Sequence, residues 1–307
     1  LSVMSTAGDV TLITDNKIID NTTNEAANIL ASHLEINAAE GVGEVNAGKD
    51  INTTVTSLSV LNADGSIYIT EANNLEVRNI ETPDEVVLTL TNGNLTNNGA
   101  TSLLSATDLI LRANNADIKT DIDTIDATVT NTLTLNESDA LYIENIVATT
   151  VNITAAGALS DGNNVSVSAT NLNVNASSVD INTNVRNYSA TSTLSDIIIN
   201  QTDDITLGVV NAGTNDVIIN VVGNVSKAVN SLITADNLEI TANIAIINTD
   251  INTIDAEITN TLNINETDNI TGTISATDLV LNATNATLNT TIATIDGDVT
   301  SLTLTET

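Results

Sequence analysis

"SATDLILRANNADIKTDI", residues 105–122, decides the fold, because the chain writes it more than once. It returns as "SATNLNVNASSVDINTNV" at 168–185, "TADNLEITANIAIINTDI" at 234–251 and "SATDLVLNATNATLNTTI" at 275–292. Aligned on Leu109, Leu172, Leu238 and Leu279, the copies are spaced at close to three, three and two multiples of a unit of about 20–22 residues. A second series, "EANNLEVRNI" from 71 and "ESDALYIENI" from 137, is offset by three such units. A fixed short period is the mark of a solenoid: one unit cannot bury its own apolar face, and stacking neighbouring units does.

Within the unit the hydrophobic pattern has period two. "DLILRA", "NLEITA", "GSIYIT" and "VSVSAT" alternate aliphatic and polar residues, which makes half-buried strands. Composition agrees. The chain of 307 residues has no Phe and no Trp, only three Tyr and one Met, while Asn supplies 46 residues and Thr 50. β-branched residues favour the pleated surface, and Asn favours abrupt corners. Corners are expected at "NADG" (62–65), "TNGN" (91–94), "TNNG" (96–99), "AAG" (155–157), "SDGNN" (160–164) and "NAGTND" (211–216). The single proline, Pro83, falls in the charged corner "ETPDE", where no ladder donor is lost. Helical spacing is confined to "NEAANILASHLEI" (24–36), at most a short turn.

These patterns predict an all-β fold, a right-handed parallel β-helix of roughly 15 turns, with the hand following the general rule for parallel crossovers. Inward Leu, Ile and Val form columns in an interior with little room for indole rings. Residues 1–307 are expected to be a single continuous β-helix and a segment of a longer repetitive chain. The strand-like ends "LSVMST" and "SLTLTET" lead us to expect neighbouring segments or other subunits end to end against them. One longer line is nearly duplicated: "TDIDTIDATVTNTLTLNESDAL" (120–141) and "TDINTIDAEITNTLNINETDNI" (249–270) differ at only eight positions. Ile122, Ile125, Val129, Leu133 and Leu135 recur there as Ile251, Ile254, Ile258, Leu262 and Ile264, and are expected to face inward.

The stretch "HLEINAAEGVGEVNAGKDINTTVTSLSVLNADGSIYITEANNLEVRNI" (33–80), with its cadence returning in "DALYIENIVATTVNITAAGALSDG" (139–162), resembles the repeats of filamentous-haemagglutinin-like giant exoproteins and bacterial adhesins. The likeness covers most of the chain and rests on repeat rhythm, not on a catalytic signature. It implies a secreted or cell-surface β-helical shaft in an extracellular setting, a structural filament segment that works without catalysis. This chain is poorer in Gly and richer in Asn and Thr than that pattern.

Charge narrows the partners. Seven basic residues face 39 acidic ones, a net charge of −32, which disfavours nucleic acid and anionic membrane surfaces. No run of 18 apolar residues is present to insert in a membrane. Without cysteine there is neither disulfide nor thiolate site. The one histidine, His33, reads as a surface or packing residue. A carbohydrate-binding or carbohydrate-processing β-helix, of the tailspike or lyase kind, is the alternative function. It lacks the aromatic platforms that usually hold sugars, and a groove joining acids to an arginine would favour it. Cell-surface or carbohydrate receptors are considered as partners of the chain under either reading, beside the end-to-end neighbours. Calcium is the one cofactor considered, since "TDIDTID", "SDG", "TDD" and "TIDGD" set carboxylates near turn carbonyls. Asp121, Asp123 and Asp126 are the metal candidates, against the plainer reading of solvated corners, because neither EF-hand nor β-roll spacing occurs. Asn-x-Ser/Thr sequons, among them Asn21, Asn52, Asn94, Asn136, Asn152, Asn282, Asn285 and Asn289, permit glycosylation on a surface protein.

Overall fold

The computed structural model describes residues 4–306 apart from 6, 23–24, 46–47, 62, 98 and 163, so the corner residues Asn62, Asn98 and Asn163 lie outside the described residues. Among the described residues every regular element is a strand and no helix forms. From Ile29 onward "NEAANILASHLEI" enters the alternating strand Ile29–Ala38 instead. The chain divides into two compact units, residues 1–156 and 157–307.

In the first unit parallel strands stack in register, turn upon turn. One inward column runs Ile51, Ile69, Leu88, Leu111, Ala127 and Ile146. None of these exposes more than 1% of its surface. The second unit repeats the design with Leu159, Val179, Ile197, Val217, Leu238 and Ile254. Each buried aliphatic side chain contributes roughly 1.5–3 kcal/mol of transfer free energy, so the columns supply the main cohesion of each unit. The ten inward positions of the duplicated line, Ile122 to Leu135 and Ile251 to Ile264, are all buried as their alternation requires.

The unit length read from the sequence is an average over unequal turns. The short turn carries Leu111 onto Ala127 and the long one carries Leu34 onto Leu58, and the described turns number about 12 instead of 15. The reason lies in the corners, since the paired strand segments are fixed by their inward residues. Strands Leu103–Ala113 and Asn115–Val129 are joined through Asn114 alone, and Asn224–Ala242 and Ile244–Ile258 through Asn243 alone. By contrast, residues 15–28 and 39–50 lie between strands and lengthen the first turns.

Those single-residue corners are held by asparagine ladders. In the first unit Asn114 N donates to Gly93 O and Asn131 N to Asn114 O, at 2.9 Å each. In the second, Asn243 N donates to Gly223 O and Asn260 N to Asn243 O, again at 2.9 Å. Side chains add a parallel rail: Asn115 Nδ2 donates to Asn94 Oδ1 at 2.8 Å, and Asn243 Nδ2 to Asn224 Oδ1 at 2.9 Å. The abundant Asn is thus corner mortar.

One ring does enter the core. Tyr188 stands between Leu172 and Leu207 and exposes 1% of its surface, and its buried hydroxyl has no hydrogen-bond partner. Burial alone drives the phenol's pKa far upward. A buried unpaired hydroxyl costs about 1–3 kcal/mol, so Tyr188→Phe, which keeps the ring, is expected to stabilise the second unit by about 1 kcal/mol. Urea denaturation checks this; a loss of stability would mean that the hydroxyl is bonded after all.

Candidate functional site

The structure separates the metal candidates. All three lie on strand Asn115–Val129, but Asp126 is paired with Arg112, Oδ2 to Nη2 at 2.9 Å, and also accepts from Asn145 Nδ2 at 3.0 Å. Desolvation pushes its pKa up, yet the Arg112 and Asn145 bonds outweigh that and hold the carboxyl below its ordinary value. Asp123 points to solvent. Asp121 accepts from Ser138 Oγ at 2.7 Å and meets different acids, Glu137 and Asp139, with ligand atoms within 4.8 Å of one another. The same trio recurs as Asp250, Glu266 and Asp268, at the matching positions of the duplicated line. The acids retained between the two copies include those at the strand end, which the pattern of Asp123 and Asn252 did not foretell.

At the centre of each trio is a buried glutamate already employed by the backbone. Thr120 Oγ1 donates to Glu137 Oε2 at 2.7 Å, Ile122 N reaches the same oxygen at 3.3 Å, and Ser138 N donates to Oε1 at 2.7 Å. Glu266 accepts Thr267 N at 2.8 Å and Ile251 N at 3.4 Å. The arrangement closes a corner: the acid reaches back one turn, accepting from the residue two past its threonine partner. It occurs at two further places. Glu71 Oε2 accepts Thr53 Oγ1 at 2.7 Å and Val55 N at 3.0 Å. Gln201 Oε1 accepts Thr183 Oγ1 at 2.7 Å and Val185 N at 3.2 Å.

Burial is the largest influence on Glu71 and Glu137 and raises both pKa values, against the opposing bonds from Thr53 and Thr120 and from nearby amides. Sequence reasoning passed over these residues, although a signal was present. Thr120, Thr183 and Thr249 occupy one position in the repeated phrases, and Glu137, Gln201 and Glu266 follow them at a nearly constant interval, one turn later.

Two other places bear on chemistry. His33 Nδ1 lies 3.0 Å from Ser57 Oγ, a contact that sequence spacing did not show. Ser57 is buried, so that hydroxyl packs against the ring out of a substrate's reach. On the second unit an open groove is lined by Arg186, Asp203 and Asp204 together with Asn184, Thr206 and Asn224. Asp204 is partly committed there, accepting Asn224 N at 2.8 Å. No family model, curated protein or solved structure matches the chain. Function is therefore read from its own residues.

Proposed function

We propose that the chain is a structural spacer, the shaft or filament segment of a secreted or cell-surface adhesin-like protein. The observation that carries this reading is where its ordering energy goes: into aliphatic columns, asparagine corner rails and buried Thr–Glx corners, all of which fix backbone. Binding and catalytic β-solenoids usually need long loops. Here, after residue 50, the stretches between described strands are only a few residues long. A net charge of −32 supports the same role, since an acidic surface keeps strand-rich segments from adhering to one another. Antibody labelling of intact source cells is expected to decorate the surface; labelling only after lysis would overturn the proposal.

A second reading is favoured by one observation, the groove that joins Arg186 to Asp203 and Asp204. Its amides, hydroxyls and mixed charges fit a polyhydroxylated ligand, and the partner class would be carbohydrate. A glycan array separates the two readings. The spacer is expected to bind nothing that Arg186→Ala abolishes, whereas a glycan lost on that substitution would favour the groove.

A further inference from the structure

Among the described residues the threonine hydroxyl bonds its Glx partner at three corners, Thr53–Glu71, Thr120–Glu137 and Thr183–Gln201. At the fourth, Thr249 Oγ1 and Glu266 Oε2 are buried without a hydrogen-bond partner. One of the three carries an amide, and Glu71 and Gln201 use their outer atom differently. At Gln201, Nε2 donates to Val185 O at 2.9 Å. At Glu71, Oε1 turns the other way and accepts Asn73 N at 3.0 Å. The threonine side of the two corners corresponds, while the residues after the Glx differ, Ala72, Asn73 and Asn74 against Thr202, Asp203 and Asp204. "INTTV" (51–55) matches "INTNV" (181–185), and each partner follows its threonine at the same interval along the chain. In both, the next residue bonds back, Ala72 N to Thr53 O at 3.0 Å and Thr202 N to Thr183 O at 3.2 Å.

We propose that Glu71 is a proton-operated latch within the fold. Ionised, its Oε1 holds the Asn73 amide; protonated, the same position becomes a donor and takes the partner that Gln201 takes, the carbonyl of Val55. The proton comes from solvent and no other bond is made or broken. Glu71 is fully buried, and the strands packed against it offer no cation. Ile51–Leu61 carries no charged residue, and Glu85–Leu90 carries only Glu85, which bonds Tyr68. The corner residues Ala72, Asn73 and Asn74 are neutral, and Leu75–Glu81 beyond them brings Glu76, Arg78 and Glu81.

The direction of the linkage follows from burial. The Glu71 pKa is raised above the ordinary 4.5, so the folded chain binds this proton more tightly than the unfolded one. Stability from this site is therefore gained as pH falls through the folded value toward 4.5, and is lost above it.

The test uses the full chain. Glu71→Gln is expected to melt about 2–4 °C above the parent near pH 8, a gap that closes on approaching pH 5. A gap that is negative, or the same at both pH values, overturns the proposal. Comparing variant with parent cancels the repulsion among the other acids, which also changes with pH. The reverse substitution, Gln201→Glu, is expected to lower the melting temperature near neutrality and to restore it on acidification. A loss independent of pH would count against the latch. The amide of Asn73 reports directly: its nitrogen shift is expected to titrate in the parent and to stay flat in Glu71→Gln, and a flat profile in both sinks the idea.

Discussion

Truncating Leu135 to alanine is expected to cost about 2–5 kcal/mol, among the largest effects any single substitution in this chain will have. Leu135 is wholly buried between Ile118 of one turn and Ile153 of the next. A solenoid turn touches only the turns beside it, so nothing from elsewhere can collapse into the void. Its counterpart in the duplicated line, Ile264, lies between Ile247 and Leu281 and is equally buried, so Ile264→Ala is expected to cost the second unit a similar amount. Leu304→Ala provides the contrast. Its side chain is 40% exposed in the last strand, and its truncation is expected to cost less than about 1.5 kcal/mol. Urea denaturation of the three variants reads the difference directly. Equal losses at Leu135 and Leu304 would show that column packing is not what holds the turns together.

Much of this fold was legible because its dominant interaction is periodic in sequence. The alternation of "DLILRA" and its copies placed Leu109, Leu111 and Ala113 inward, and all three are buried. The duplicated line gave the inward set Ile122 to Leu135, which packs as expected. Turn length was less legible, since an added corner residue leaves the inward pattern of the next strand intact. The long step from Leu34 to Leu58 and the short step from Leu109 to Ile125 look alike strand by strand. Tyr188 was not foreseen inside, because exclusion of indoles from the interior says little about one phenol flanked by two leucines.

The candidate site was harder to see, because its members are joined across turns. Asp121, Asp123 and Asp126 are close in sequence, but the strand and Arg112 pull them apart. Asp121 and Glu137 are a whole turn apart in sequence, and stacking brings their carboxylates together. Carboxylates meet here at a separation of one turn, not at neighbouring positions along a strand. Across one turn the duplicated line keeps both Thr120–Glu137 and Thr249–Glu266 in register, but only the first pair closes a hydroxyl–carboxylate bond, so the polar residues are repeated more faithfully than their interaction.

Gly93→Ala is the other substitution expected to cost heavily, about 3 kcal/mol, at a position that looks like an ordinary turn glycine. A Cβ built there runs into the backbone of the preceding turn, Asn73 O first and Asn74 N at 2.9 Å. Backbone cannot swing aside as a side-chain tip can, so the corner itself must move. Gly93 O accepts the Asn114 amide at 2.9 Å, the first rung of the ladder that continues through Asn131, and displacing it strains that ladder from its base. Gly99 supplies the control, since a Cβ there meets nothing within 4 Å, and Gly99→Ala is expected to change stability by less than about 0.5 kcal/mol. Hydrogen exchange locates the damage. In Gly93→Ala the amides of Asn114 and Asn131 are expected to lose protection, while the duplicate corner at Asn243 and Asn260 keeps its own. Unchanged protection at Asn114 would mean that the corner yields without cost, and the close backbone approach at Gly93 would then carry no share of the fold's stability.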